Sequence, residues 1–111
     1  MRITDVRTQL FEILLSRPLG DANYPHGRQR APAVAVPIEA EGGQCGQMIA
    51  GPGCRGPSDS CRPLLVGQDP RRVRGLWHRM VSRVFKSGVV GTAAEAIGCL
   101  DVALWDLKAR I

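Results

Sequence analysis

Hydrophobic and polar residues alternate with the two-residue period of a β-strand at the start of the chain. Between residues 2 and 15, one face carries Val6, Thr8, Leu10 and Leu14. The opposite face carries Arg7, Gln9, Phe11 and Ile13. This alternation predicts a first strand over residues 2–15. Segment 16–32 then contains three prolines and two glycines, which predicts a long loop.

Two further strands are predicted before the middle of the chain. Residues 33–40 alternate in the same way, a Glu-Gly-Gly turn sequence follows them, and residues 44–50 supply a short third strand. The alternating apolar residues of the second strand are Val34, Val36 and Ile38. Pro37 has no N–H to donate to a neighbouring strand, so this residue is expected at a sheet edge or a bulge.

A helical period replaces the alternation in the second half. Segment 51–63 is rich in glycine and proline and is expected to be irregular. Asp69 is a favourable N-cap and Pro70 suits the first helical position, so a helix is predicted over residues 69–87, ending at Gly88. The apolar face of this helix is formed by Val73, Leu76, Trp77, Met80, Val81 and Val84.

The last predicted helix, over residues 92–110, has two apolar faces. Thr92 and Glu95 form a capping-box pattern at its start. The main apolar face consists of Ala93, Ala96, Ile97, Leu100, Ala103, Leu104 and Leu107. A second stripe, on roughly the opposite side, consists of Gly98, Val102 and Trp105. Because a helix that is apolar on two sides needs cover on two sides, we expect a second body of protein over this stripe.

Together these elements predict one α+β domain over residues 1–111, with a three-stranded antiparallel meander followed by a small helical bundle. The net charge is +5, and segment 71–86 contains six basic residues and no acid. Aromatic residues are few and no nucleic-acid-binding motif occurs, so a solvated helix face is favoured over a nucleic-acid partner. No apolar run approaches the roughly 20 residues that span a bilayer, so no membrane partner is expected.

The residues that could carry chemistry form no complete catalytic motif. The four cysteines and two histidines have no spacing typical of a zinc site, which favours free thiols in a cytoplasmic protein. No phosphate-binding loop, nucleophile elbow or metalloprotease helix occurs, so no catalytic residue and no metal ligand is assigned. The notable polar residues of loop 16–32 are Asp21, Asn23, Tyr24, His26, Arg28 and Arg30. Such a loop could contact an anionic substrate, or it could simply be a solvated loop.

Two segments match the sequence pattern of a known family. The first is Leu64-Leu-Val-Gly-Gln-Asp-Pro70, which a Trp-containing helix follows, and the second is Ala96-Ile-Gly-Cys-Leu-Asp-Val-Ala-Leu-Trp-Asp-Leu-Lys-Ala-Arg110. The opening residues 3–8 and the loop residues 16–23 fit the same pattern in order and position. In these segments the chain resembles the N-terminal capping domain of the mandelate racemase/muconate-lactonizing branch of the enolase superfamily.

This resemblance implies a capping domain that covers a (β/α)₇β barrel, which this chain lacks. In the full-length family, the barrel holds Mg²⁺ through carboxylates, and its lysine or histidine bases take the proton α to a substrate carboxylate. Loop 16–32 corresponds to the first capping loop and residues 47–58 to the second. Tyr24, His26 and Arg28 are then the candidates for substrate contact. The chain alone is expected to bind no Mg²⁺.

The leading hypothesis is therefore the capping domain of a Mg²⁺-dependent acid-sugar dehydratase or racemase, inactive alone, with the barrel and an acid-sugar or other carboxylate substrate as partners. The chain departs from the family pattern at Gly46-Gln-Met-Ile49 and at Pro57-Ser-Asp-Ser-Cys61, the latter being a poor helix sequence where a helix is expected. The alternative hypothesis is a stand-alone interaction module that forms homo-oligomers through the Val102/Trp105 face.

Overall fold

The computed structural model describes residues 1–88 and 90–111. In this part of the chain, one antiparallel sheet packs against three α-helices. The strands are β1 (Ile3–Val6), β2 (Gln9–Leu19), β3 (Arg28–Ala40) and β4 (Cys45–Ala50). The helices are α1 (Arg55–Leu65), α2 (Val73–Val84) and α3 (Gly91–Arg110), and short 3₁₀ turns lie at Pro52–Cys54 and Phe85–Ser87. The predicted α+β class with an antiparallel sheet is confirmed.

Strand β3 is central, with β1 and β2 end to end along one edge and β4 along the other. Val6 pairs with Ile38 and Gln9 pairs with Ala35. The chain therefore advances by three residues between β1 and β2 and by three residues along β3. The register between β3 and its neighbours therefore continues across the gap at Arg7 and Thr8. The predicted strand 2–15 is present as β1 and β2 with a local break.

Pro37 causes this break, and its predicted place at an edge or bulge was wrong. The residue lies within central strand β3, where its carbonyl accepts a hydrogen bond of 3.1 Å from the Arg7 N–H. In an antiparallel pair of this kind the two residues normally exchange two hydrogen bonds. Pro37 cannot donate the second one, so the pairing is interrupted at that point while the register is kept.

The predicted loop 16–32 is much shorter in the structure, because β2 and β3 continue into it as a two-stranded ribbon. Leu14 pairs with Arg30 and, after a register shift, Leu19 pairs with Arg28. The alternation that turns the nitrogen of Pro37 toward the gap between β1 and β2 turns the nitrogen of Pro32 toward the β4 side of β3. There β4 has already ended, since its last residue pairs with Val34, so the missing N–H of Pro32 costs no strand pairing.

Segment 51–63, which was expected to be irregular, contains helix α1. Ser58, Cys61 and Leu65 are buried on one side of this helix, which packs against α3 and β1. Pro57 lies in the first turn, where backbone N–H groups have no helical partner. Pro63 lies in the last turn, so the loss of its N–H affects only the end of the helix. Burial of one face therefore outweighs the poor local helix propensity.

The boundaries of the other two helices also differ from the predicted ones. Helix α2 begins at Val73 instead of residue 69, because the Asp69 side chain accepts a hydrogen bond of 3.0 Å from the Arg71 N–H and forms a turn ahead of the helix. Helix α3 begins at Gly91, so Thr92 is already the second residue of the helix and does not occupy the N-cap position. The predicted capping box at Thr92 and Glu95 is therefore not formed.

The hydrophobic core lies between the sheet and the helices. Strand β3 contributes Val34, Val36 and Ile38. Helix α3 contributes Ile97, Cys99, Leu100, Ala103, Leu104 and Leu107. The second apolar stripe of α3 is on the outside, where Val102 is 46% exposed and Trp105 is 48% exposed. Within the described ranges, no helix combines the length and the apolar character that a membrane span requires.

Helix α3 lies directly on edge strand β4 at Gly46. A Cβ atom added to Gly46 would lie 2.3 Å from the carbonyl oxygen of Ala103 and 2.3 Å from the nitrogen of Leu107. Beside this contact, the carboxylate of Asp106 in α3 accepts a hydrogen bond of 3.0 Å from the backbone N–H of Gln47 in β4. This bond occupies a donor on the free edge of the sheet, which protects the edge from pairing with another strand.

A cluster of charged residues joins β1 to α1. Arg62 donates hydrogen bonds of 3.0 and 2.7 Å from Nε and Nη2 to Oδ1 of Asp5. These bonds lower the pKa of the Asp5 carboxyl below its ordinary value of 3.8, against the smaller opposing effect of burial.

Because the folded-state pKa of Asp5 is lowered, we expect its stabilising effect to be complete above about pH 4 and to be lost as the pH falls through the folded-state value. Asp5→Asn should lower the free energy of unfolding by at most about 1 kcal/mol near neutral pH, and the difference from wild type should shrink in acid. Urea unfolding at pH 7 and pH 3 measures this. Glu41→Gln, at an exposed turn position, is the control, and an Asp5→Asn effect that is the same at both pH values would contradict the prediction.

Candidate functional site

The candidate site begins at the hairpin tip, residues 20–27, which joins β2 to β3. Oδ1 of Asp21 accepts hydrogen bonds of 2.8 Å from the Asn23 N–H and 3.0 Å from the Tyr24 N–H. The backbones of Asp21 and Tyr24 also exchange hydrogen bonds of 3.1 and 3.2 Å. Asp21, one of the polar residues that the sequence singled out, therefore closes the turn.

Two glycines allow the tip to reverse direction in so few residues. Gly27 has a φ of +81°, a backbone conformation that side-chain-bearing residues rarely adopt, and its N–H donates to the Tyr24 carbonyl at 2.9 Å. A Cβ on Gly20 would lie 2.9 Å from that same carbonyl oxygen. The tip is thus shaped by its own backbone bonds and by close packing between its two ends.

Of the three predicted substrate-contacting residues, Tyr24 and His26 are exposed at this tip, and Arg28 is exposed beside it at the first position of β3. The Arg28 guanidinium lies 4.6 Å from the centre of the Tyr24 ring, a cation–π arrangement that holds the two side chains together. In the described part of the chain, His26 has no hydrogen-bond partner. Arg30, by contrast, pairs with Glu12 at 3.2 Å along the ribbon. The structure therefore brings together a phenol and a guanidinium, with an imidazole nearby.

The second predicted capping segment stands at the same end of the sheet as the tip. Strand β4 ends at Ala50, opposite Val34, and the 3₁₀ turn Pro52–Cys54 follows it. A Cβ on Gly53 would lie 3.1 Å from Thr92, so this turn also meets the start of α3. Strand β3 begins six residues before Val34, so the ribbon extends roughly 20 Å beyond the end of β4. The end of the sheet is therefore uneven, because the β2–β3 ribbon extends past the end of β4. We call this offset between the ribbon and the end of β4 the step.

The ribbon presents two exposed leucines, Leu10 and Leu14, on one face within this step, beside the Glu12–Arg30 ion pair, and the sequence pattern did not identify these leucines as functional. Leu10 pairs with Val34 and Leu14 pairs with Arg30, so both leucines lie on the sheet face that the helices cover elsewhere. The ribbon extends past the helices, however, and Leu14 is 71% exposed. The alternation of residues 2–15 showed which face these leucines occupy, but it could not show where the helical layer ends.

The buried thiols beside this step are poor nucleophiles. Burial, together with a hydrogen bond to Glu95, raises the pKa of Cys54 to about 11. Burial raises the pKa of Cys99 to about 11 as well. Both thiols are therefore protonated at neutral pH. Within residues 1–88 and 90–111, no group of three histidine, cysteine, aspartate or glutamate side chains is arranged to hold a metal ion.

The sequence matches a family model over almost its full length. Residues 6–111 match the model described as "Mandelate racemase / muconate lactonizing enzyme, N-terminal domain". The chain belongs to the mandelate racemase / muconate lactonizing enzyme family. The match covers the hairpin tip, the 3₁₀ turn and all three helices, so the step described above is part of the domain that this family shares.

Similar proteins within the family agree with this assignment. D-galactarolactone cycloisomerase of Agrobacterium fabrum is 32% identical over 117 residues, covering 99% of this chain and 29% of the relative. The solved structure of L-talarate dehydratase from Polaromonas sp. JS666, complexed with Mg and L-glucarate, is 34% identical with a TM-score of 0.82, covering 98% and 32% of the two chains. A Streptomyces coelicolor racemase with bound magnesium is 32% identical with a TM-score of 0.81, covering 96% and 31%. The chain thus spans about 30% of the length of these relatives.

Proposed function

We propose that this chain is the substrate-capping domain of a Mg²⁺-dependent enzyme that acts on acid sugars as a dehydratase or racemase. The observation that carries the proposal is the match of residues 6–111 to the N-terminal domain of the mandelate racemase / muconate lactonizing enzyme family. Relatives that the chain resembles include an L-talarate dehydratase and a D-galactarolactone cycloisomerase, which supports an acid-sugar substrate. The four free cysteines support a cytoplasmic location as part of the same proposal.

In this proposal the chain contributes cover and substrate contacts, and a barrel domain contributes the reacting groups. Arg28 is suited to a substrate carboxylate because a guanidinium forms charge-assisted hydrogen bonds with that group. Tyr24 holds the guanidinium in place through its ring and offers a phenol to a substrate hydroxyl. The exposed leucines Leu10 and Leu14 would help to exclude water from the step once they are covered, which strengthens the polar contacts inside.

The base that takes the proton α to the substrate carboxylate would belong to the barrel domain. Mg²⁺, which the Polaromonas and Streptomyces structures contain, would be bound there and would stabilise the negative charge that develops on the carboxylate. The described residues of this chain provide no metal site, so the chain alone should have no turnover.

The test is a chimera in which this chain replaces the matched N-terminal segment of the Polaromonas L-talarate dehydratase. With Mg²⁺ and L-talarate, we expect turnover by the chimera and none by the isolated chain. Arg28→Ala should reduce kcat/KM by roughly 10- to 100-fold, the effect of removing one hydrogen bond from a charged group. Tyr24→Phe and His26→Ala should each give smaller losses.

Arg2→Ala is the matched control, because Arg2 is an exposed arginine just before β1, at the end of the sheet opposite the tip. This substitution should leave kcat/KM of the chimera unchanged. Metal-dependent turnover by the isolated chain would refute the capping role. An active chimera in which all three tip variants behave like Arg2→Ala would refute the assignment of Tyr24, His26 and Arg28.

A further inference from the structure

The side of α2 that faces α1 carries a group of hydrogen-bond donors with no acid among them. Two guanidiniums, an imidazole and a hydroxyl line a cavity of about 480 Å³. The residues that line this first cavity are Leu64, Gly75, His78, Arg79, Ser82 and Arg83. Arg79 and Arg83 are four residues apart on one helix, so their side chains lie on the same face, one turn from each other.

Both guanidiniums of the first cavity are available to a ligand. Arg79 and Arg83 are exposed, and neither forms a salt bridge or a side-chain hydrogen bond within residues 1–88 and 90–111. Arg71, by contrast, is paired with Asp69 at 2.8 Å. Two like charges on adjacent turns repel each other, and an anion bound between them removes this repulsion. The first cavity therefore suits a group that carries two negative charges.

A second cavity, of about 290 Å³, lies between α1, α3 and the end of α2. Its apolar lining consists of Pro57, Cys61, Val84, Ala93 and Ile97. Ser60 also lines it, but its hydroxyl already donates a hydrogen bond of 3.0 Å to the Gly56 carbonyl. An apolar cavity of roughly 150 Å³ is large enough to bind benzene, so this cavity has room for one aromatic ring.

Arg83 connects the two cavities, because it lines both of them. Burial raises the pKa of the Cys61 thiol, and the Arg83 guanidinium opposes this rise, so its positive charge also acts on the wall of the second cavity. A single molecule that occupies both cavities therefore has an anionic group attached directly to an apolar group.

A phosphate monoester fits these cavities better than a carboxylate does. It carries close to two negative charges at neutral pH and has three acceptor oxygens, which match two guanidiniums, an imidazole and a hydroxyl. A carboxylate has one charge and two oxygens. We propose that the two cavities together, which we call the α1–α2 site, bind a phosphate monoester whose apolar group is about the size of one aromatic ring.

Isothermal titration calorimetry of this chain with phenyl phosphate at low salt tests the proposal. We expect one binding site per chain. Arg83→Ala should weaken the affinity roughly 10- to 100-fold, the effect of removing a hydrogen bond between charged groups. Arg74→Ala is the matched control, because Arg74 is an exposed arginine on the same helix that lines neither cavity. This control should leave the affinity nearly unchanged.

A second variant tests the apolar half of the α1–α2 site. Ala93→Leu places three more carbon atoms in the second cavity. It should weaken the binding of phenyl phosphate by roughly tenfold, since the ring loses buried apolar surface. The weaker binding of inorganic phosphate, which needs only the first cavity, should stay the same.

Three results would overturn the proposal. The first is that millimolar phenyl phosphate does not bind. The second is an equal loss of affinity in Arg74→Ala and Arg83→Ala, which would indicate a general attraction of anions, nucleic acids included, to a basic helix. The third is equal affinity for phenyl phosphate and inorganic phosphate, because the second cavity would then contribute nothing. The titration measures binding by this chain alone, so its result does not depend on the capping role.

Discussion

Gly46→Ala is expected to destabilise this protein by about 3 kcal/mol or more, at or above the usual upper range for overpacking. The new Cβ would lie 2.3 Å from two backbone atoms of α3, the Ala103 oxygen and the Leu107 nitrogen. Backbone atoms inside a packed helix cannot move away as the end of a flexible side chain can. The helix and β4 must therefore separate, which also weakens the bond from the Gln47 N–H to the Asp106 carboxylate.

Thermal or urea unfolding measures this effect, and Gly98→Ala is the matched control. Gly98 is also a glycine in regular structure, but a Cβ added there, on the exposed side of α3, would meet nothing within 4 Å. Alanine at this position should raise the free energy of unfolding by about 0.5–1 kcal/mol, because glycine is a poor helix former. Equal stability of Gly46→Ala and wild type would show that α3 does not lie on β4 at this distance.

Leu104→Ala is expected to give the second large effect, a loss of about 2–5 kcal/mol. Leu104 is fully buried in the core between α3 and the sheet. Its truncation removes buried apolar surface and leaves a cavity, which the surrounding side chains fill only in part. Small domains are stable by only about 5–15 kcal/mol, so this variant should be partly unfolded at temperatures that wild type tolerates.

The matched control for this substitution is Leu14→Ala in the ribbon. Leu14 is 71% exposed, and its truncation should change the free energy of unfolding of the isolated chain by no more than about 0.5 kcal/mol. Urea unfolding of the three proteins side by side gives the comparison. A Leu14→Ala loss as large as that of Leu104→Ala would mean that the ribbon is packed against other residues of this chain.

Much of the fold could be predicted because its signals are local. The alternation of Val34, Val36 and Ile38 places one face of a strand in the core wherever its neighbours lie. The main apolar face of α3 is buried as its helical period indicated. The family resemblance was carried by the same region, and the match over residues 6–111 confirms it.

The errors arose where pairing or packing outweighs local preference. Proline composition suggested a loop over 16–32, but Pro32 has its nitrogen on the side where β4 has ended. The poor helix sequence of α1 is compensated by the burial of Ser58, Cys61 and Leu65. Asp69 looked like a helix cap and instead closes a separate turn, because its carboxylate binds the Arg71 N–H.

For the candidate site, the sequence indicated which residues carry useful chemistry but could not show which of them stay available. Asp21 and Arg30 have the same exposed, polar character as Tyr24 and Arg28, yet one closes the hairpin turn and the other pairs with Glu12. These contacts depend on the register between β2 and β3, including its shift near the tip. No pattern along the chain reports that shift.

The sequence by itself determined the class of the domain, the buried faces of its main elements, its family and the second apolar stripe of α3, since each depends on side-chain type and period alone. Only the tertiary structure decided that Pro37 interrupts a strand without changing its register, that Gly46 lets α3 lie on β4, and that the stripe joins Trp77 in one groove. The physical reason is that these features depend on distances between segments far apart in the chain, which arise only when the chain has packed.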